Sequence, residues 1–184
     1  MKLIYPILFL IFSGFFLKAE KKVVFIAGKK SHGYFSHEHI AGSKLLSKYI
    51  NQAEVGIKSM VVTDDGYPKN PSILEDADSI VVYCDGGGRH LLNSHLKEFD
   101  ILMKRGIGLA CIHYGVEVPK GAPGNYFLKW LGGYFETNWS VNPHWVANIS
   151  KLPNHPVANG VDQFSINDEW YYHMRFREAM SGVT

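Results

Sequence analysis

Four apolar runs, each followed by turn residues, constrain this chain more than any other feature. Lys22–Ala27, Gly56–Thr63, Ser79–Cys84 and Ile107–Ile112 are short, apolar and rich in β-branched residues. Helix-like patterns separate them. Ser36 can cap a helix to about Ile50 with Glu38 in its first turn, Asn70-Pro71 starts a short helix, and Asn93–Arg105 is amphipathic. In that last segment Leu96, Phe99, Ile101, Leu102 and Met103 are expected mostly inward, and Gly106 closes it. Near-continuous apolar strands alternating with helices predict an α/β fold, a parallel sheet with helices on both faces.

In such sheets ligands bind beyond the carboxyl ends of the strands. Histidines cluster there. His32, His37 and His39 follow the first run, His90 the third, and His113 closes the fourth. Imidazole is an acid, a base or a metal ligand near neutral pH, so the sheet end is the expected site.

The remainder reads less regularly. Pro119–Gly124 is a loop, Asn125–Leu131 a short helix, and Gly132–Pro143 is rich in Gly, Asn and aromatics. His144–Ser150 alternates like a strand, and Phe164–Phe176 contains a further extended run.

Of the 184 residues, 46% are hydrophobic and 20% charged, enough for one sizeable core. Residues 1–19 stand apart: a basic start, the apolar Leu3–Leu17, then Leu17-Lys18-Ala19. This is the pattern of a signal peptide, with export to the periplasm or exterior expected and no membrane span left after cleavage. Loss of Lys2 and Lys18 leaves 17 basic and 17 acidic residues, and no basic run that would favour nucleic acid or an anionic membrane. Cys84 and Cys111 lie near strand ends and read as buried thiols rather than a disulfide framework.

Four segments carry candidate chemistry. Leu109–Glu117 is a strand running into a small-residue turn, the pattern of an elbow that lifts one side chain above a sheet edge. It resembles the elbow of class I glutamine amidotransferases, with His113 in the place of the nucleophilic cysteine and Gly115 matching the later glycine. Cys111 lies two residues early, inside the strand, which argues against cysteine-dependent glutaminase chemistry.

Asp85-Gly86-Gly87-Gly88 allows backbone amides to converge on an oxyanion, although it has neither dinucleotide-fingerprint nor P-loop spacing. In Ser31–His39 three histidines invite a metal reading. If a helix starts at His37, however, His37 and His39 point to nearly opposite faces. Asn167–His173 places Asp168 and Glu169 beside Trp170 and Tyr171, suited to acid–base work or to sugar stacking. On an alternating strand only one of the two carboxylates enters the site.

Together these segments resemble the trehalose-utilisation, ThuA-like family from about Lys22 to Phe176. The resemblance rests on Ser31-His32-Gly33 with His37-Glu38-His39, Tyr83–Gly88, Cys111-Ile112-His113, Gly132–Phe135, His155-Pro156-Val157 and Asp168–Tyr171. It implies a flavodoxin-like, glutamine-amidotransferase-like fold for one domain over residues 20–184, shortened at its C-terminal end, and a link to carbohydrate metabolism.

The expected function is an exported enzyme acting on a sugar or oxidised sugar by hydrolysis, elimination or isomerisation. His113, with Glu169 or Asp168, would be catalytic. His32, Asp85, Gly86, Gly87, Gly88, Tyr114, Trp139, His144, Trp145, Trp170 and Tyr171 would bind substrate. His32, His113 and His144 are the candidate ligands for a divalent metal. The partner is a small carbohydrate. A non-catalytic carbohydrate-binding domain is the rival reading.

Overall fold

The computed structural model describes residues 20–182. The expected signal peptide, residues 1–19, lies outside the described residues.

The four apolar runs form one parallel sheet. Its strands are β1 (Lys21–Ala27), β2 (Ile57–Val62), β3 (Ser79–Tyr83) and β4 (Gly108–Ile112), in the order β2-β1-β3-β4. β1 is central and pairs in parallel with β2 and β3, so all four chain ends that leave the sheet toward the histidines emerge on one side.

The two sheet faces are covered differently. Val24 and Ile26 of β1 lie in register with Ile80 and Val82 of β3. On this face they pack with Phe99 and Leu102 of α2 (Leu96–Lys104) and Phe127 of α3 (Ala122–Trp130), all buried. Side chains one residue on point to the opposite face, where α1 (His39–Gln52) lies against β1 and β2. That contact is largely polar. The buried residues of α1 are His39, Ser43 and Ser47, and Ser47 and Asn51 hydrogen-bond to Ser59 of β2. Gly42 permits the approach, since a Cβ there would stand 2.8 Å from Cε1 of Tyr83.

Two smaller sheets follow. β5 (Glu117–Val118), β6 (Gly133–Glu136) and β9 (Arg175–Phe176) form a three-stranded sheet in the order β5-β6-β9. β7 (His144–Ile149) and β8 (Phe164–Glu169) form an antiparallel pair with His144 opposite Glu169.

Three local expectations change. α1 begins at His39, so Glu38 precedes the helix instead of entering its first turn; its carboxylate takes Lys30 Nζ at 2.5 Å. Ser36 makes no cap. Ile101 is 60% exposed because it lies on the outer side of α2, away from Phe99 and Leu102. β6 is a fully buried strand within the Gly- and aromatic-rich stretch, which has no alternation to signal it.

Candidate functional site

The site is built at the carboxyl ends of β1, β3 and β4. β4 ends at Ile112, and His113 then adopts φ +51°, in the left-handed region where a side chain is strained. The strand turns directly into a single 3₁₀ turn, His113–Val116. The elbow thereby lifts the imidazole off the sheet edge. Cys111, two residues back, is in register with Val82 and packs against the core. Burial pushes both thiols up, Cys84 to about 12. Neither is bonded to the other. The thiol chemistry of the amidotransferase elbow therefore has no group to carry it here.

Four further side chains converge on His113. Tyr171 Oη lies 2.8 Å from its Nδ1, and His37 Nε2 lies 3.1 Å from its Nε2. Glu169 Oε2 stands 3.6 Å from the same Nε2, while Glu169 Oε1 accepts from Asn142. His37 Nδ1 and His32 Nδ1 meet the Ser31 hydroxyl at 3.1 and 3.0 Å. Tyr114 packs against all three imidazoles, with centroids 5.1–5.6 Å away.

Burial, with the Glu169 carboxylate next in weight, pushes the Tyr171 phenol far up, so it keeps its proton and pairs as a neutral hydroxyl with His113 Nδ1. Burial, and after it the neighbouring imidazoles His32 and His113, hold His37 below the usual histidine range. One of the two facing Nε2 atoms of His37 and His113 carries the proton between them, and the Ser31 hydroxyl bridges Nδ1 of His37 and Nδ1 of His32. One continuous row of hydrogen bonds thus joins Tyr171, His113, His37, Ser31 and the exposed His32.

Asp85, directly after β3, closes the other side. Its Oδ2 takes Arg89 Nε at 2.7 Å, whereas its Oδ1 is buried without a partner. Gly86 and Gly87 are buried beneath Tyr114 and Glu117. A Cβ on Gly86 would stand 2.5 Å from Tyr114 Cδ1. The glycines thus let Tyr114 lie close among the histidines. Gly88 is exposed and borders a cavity of about 590 Å³ that His32 and Asp85 also line. His113 does not line that cavity. It stands beyond His37 with 29% of its side chain exposed.

The remaining expected residues spread out. Asp168 is exposed and accepts from the Glu169 amide, so Glu169 is the carboxylate turned to His113. His144 reaches Glu169 Oε1 at 3.9 Å with 69% of its side chain exposed. Trp145 and Trp170 pack on each other at 5.4 Å. Trp139 lies under the Arg175 guanidinium, 4.1 Å from its carbon.

Among the described residues, the donor set compact enough to hold one metal ion is His32, His37 and Asp85. His32, His113 and His144 do not form such a set, because His37 stands between the first two and His144 lies out on the hairpin at Glu169.

Two contributors escape sequence reasoning. His37 loses weight there through the assumption that it opens the helix; it lies instead before the helix, in a β-bridge with Ser31. Glu117 is a buried carboxyl that burial pushes up, under Gly86 and Gly87. Its place four residues after the elbow is the only sequence signal. His90, by contrast, is structural: its Nε2 pairs with the Gly115 carbonyl at 2.9 Å and its Nδ1 accepts from Leu92.

The sequence model of the ThuA family, described as trehalose utilisation, matches residues 22–183. The chain belongs to the ThuA family. Its fold is similar to the crystal structure of a ThuA-like protein from Bacteroides uniformis, with a TM-score of 0.56 and 19% identity. That match covers 83% of this chain and 60% of the other, so the chain spans less than two thirds of its structural neighbour. No curated protein matches the sequence. The parallel sheet with flanking helices and the family together establish the flavodoxin-like α/β fold.

Proposed function

We propose that this ThuA protein is an exported enzyme that moves a proton on a sugar or oxidised sugar, with His113 as the acid–base group. One observation carries the reading. His113 is raised on a strained elbow, fixed at Nδ1 by Tyr171, and faced at Nε2 by His37 and the Glu169 carboxylate. Strain of this kind costs about 1–3 kcal/mol and persists where the surroundings over-determine it.

Hydrolysis, elimination and isomerisation of sugars all need a proton taken from or given to oxygen or carbon. As a neutral ring His113 can accept a proton from the substrate, and as the imidazolium it can return one, with Glu169 the countercharge nearest that imidazolium. Tyr171 keeps the ring orientation through either state. The family's description, trehalose utilisation, supports a carbohydrate as substrate. The cavity beside His32 and Asp85 has the size of a small-molecule site. The apolar segment of residues 1–19 supports export.

The test is turnover by the purified chain of a panel of disaccharides, monosaccharides and their oxidised forms. His113→Ala is expected to lower kcat/KM for the substrate found by about 10²–10⁴-fold, with Glu169→Gln next. Unchanged turnover in His113→Ala overturns the assignment. Saturable sugar binding with no product assigns the chain instead to non-catalytic carbohydrate binding.

A further inference from the structure

We infer that His32, His37 and Asp85 form a binding site for a divalent transition-metal ion of the zinc type, open toward the adjoining cavity. The donors come from two separate loops, after β1 and after β3, yet one ligand atom from each lies within 4.8 Å of the others. Two imidazoles with one carboxylate are the nitrogen and oxygen donors that zinc takes in three-ligand sites, where a further position stays free.

Three independent details fit such an ion. The first is Asp85. Its Oδ2 is occupied by Arg89, while Oδ1 is buried with no hydrogen-bond partner in a side chain only 13% exposed. A buried carboxylate oxygen left unmatched costs free energy, and a cation is the partner that removes that cost. The second is Ser31. Its hydroxyl engages Nδ1 of both His32 and His37, at 3.0 and 3.1 Å. Nε2 of His32 is thereby left for a ligand, and Nε2 of His37 has only His113 beside it, so Ser31 gives the outer support that metal-bound histidines usually have. The third is the cavity, whose wall includes His32 and Asp85. A ligand seated there reaches the ion's free position with an oxygen.

The ion and the His113–His37 hydrogen bond draw on the same His37 Nε2 lone pair. Metal binding therefore separates His113 Nε2 from His37 and leaves the Glu169 carboxylate, at 3.6 Å, facing it. The cation site stands independently of the acid–base reading, because its test needs no sugar and no turnover.

The experiment is calorimetric titration of the chelator-treated, purified chain with Zn²⁺ alone, with Co²⁺ absorption as a second reading of the ligand field. One ion per chain is expected. Asp85→Asn and His32→Gln should each weaken binding at least about tenfold, within the range seen when metal-site partners are removed. His155→Ala, at an exposed histidine outside the cluster, should bind as the parent does. His32 is itself exposed, so His32→Gln reports on the site even if Asp85→Asn fails to fold, which circular dichroism checks. No saturable binding to the parent chain, or equal affinity in parent and His32→Gln, overturns the inference. Loss of sugar turnover in His113→Ala with Zn²⁺ binding kept separates this site from the acid–base group.

Discussion

The site joins two regions of unlike construction. The parallel sheet supplies His32, His37, Asp85 and His113 from loops anchored on strands whose inner residues are fully buried, such as Val24, Ile26 and Ile80. The β7–β8 hairpin supplies Glu169 and His144 from a two-stranded ribbon in which Val146 is 61% exposed and Phe164 and Ile166 are more than 40% exposed. An isolated pair of strands is marginal in water, whereas a sheet packed by helices on both faces holds its strand ends rigidly. His32, His37 and His113 thus sit on the stiff part, and the carboxylate partner Glu169 on the adaptable part. Tyr171, reaching His113 across this divide, is the hydrogen bond that ties one to the other.

The contrast can be broken in stages. The largest expected effect is in the core under the sheet. Phe99→Ala should lower unfolding free energy in urea by about 3–5 kcal/mol, since Phe99 is wholly buried among the residues that cover β1 and β3. A loss below about 1 kcal/mol would mean the sheet face is not the stiff element described.

Next comes pH. Burial pushes His90 down to about 4, below the ordinary 6.5 of the unfolded chain. The native state holds this ring neutral, while the unfolded chain takes a proton as pH falls through 6.5. Its stabilisation is therefore complete above 6.5 and lost between 6.5 and 4, by roughly 3 kcal/mol. His90→Gln should flatten that part of the stability–pH curve. An identical slope in both proteins would show that burial does not hold His90 neutral in the native state.

The smallest effect belongs to the hairpin. Val146→Ala should change stability by less than about 0.5 kcal/mol, as expected for a largely exposed side chain. A cost like that of Phe99→Ala would show the hairpin to be packed against something that its exposure does not record.

The legibility of the chain follows the same division. Lys21–Ala27, Ser79–Tyr83 and Gly108–Ile112 are apolar because both faces of a parallel sheet are covered, so the strands, their order of appearance and the sheet end where the histidines gather can be read directly. The elbow at His113 is legible too, from a strand running into small residues. β6 is not, because a buried strand with glycine and aromatics has no period to betray it. His37 is misplaced by sequence reasoning for a sharper reason. A shift of two residues in where α1 begins, stabilised by the Lys30–Glu38 pair and the Ser31–His37 bridge, turns a helix residue into the centre of the cluster.

By itself the sequence determined the parallel sheet, the core that covers it and the edge at which chemistry would be found, because burial and period act along short stretches of chain. Which imidazoles meet was decided only by the tertiary structure. His37 and His113 are 76 positions apart, and their 3.1 Å contact depends on strand pairing, on a left-handed turn at His113 and on glycines that let Tyr114 lie close. Strand pairing and the fit of Tyr114 over the glycines are relations between distant segments, and no local pattern encodes them.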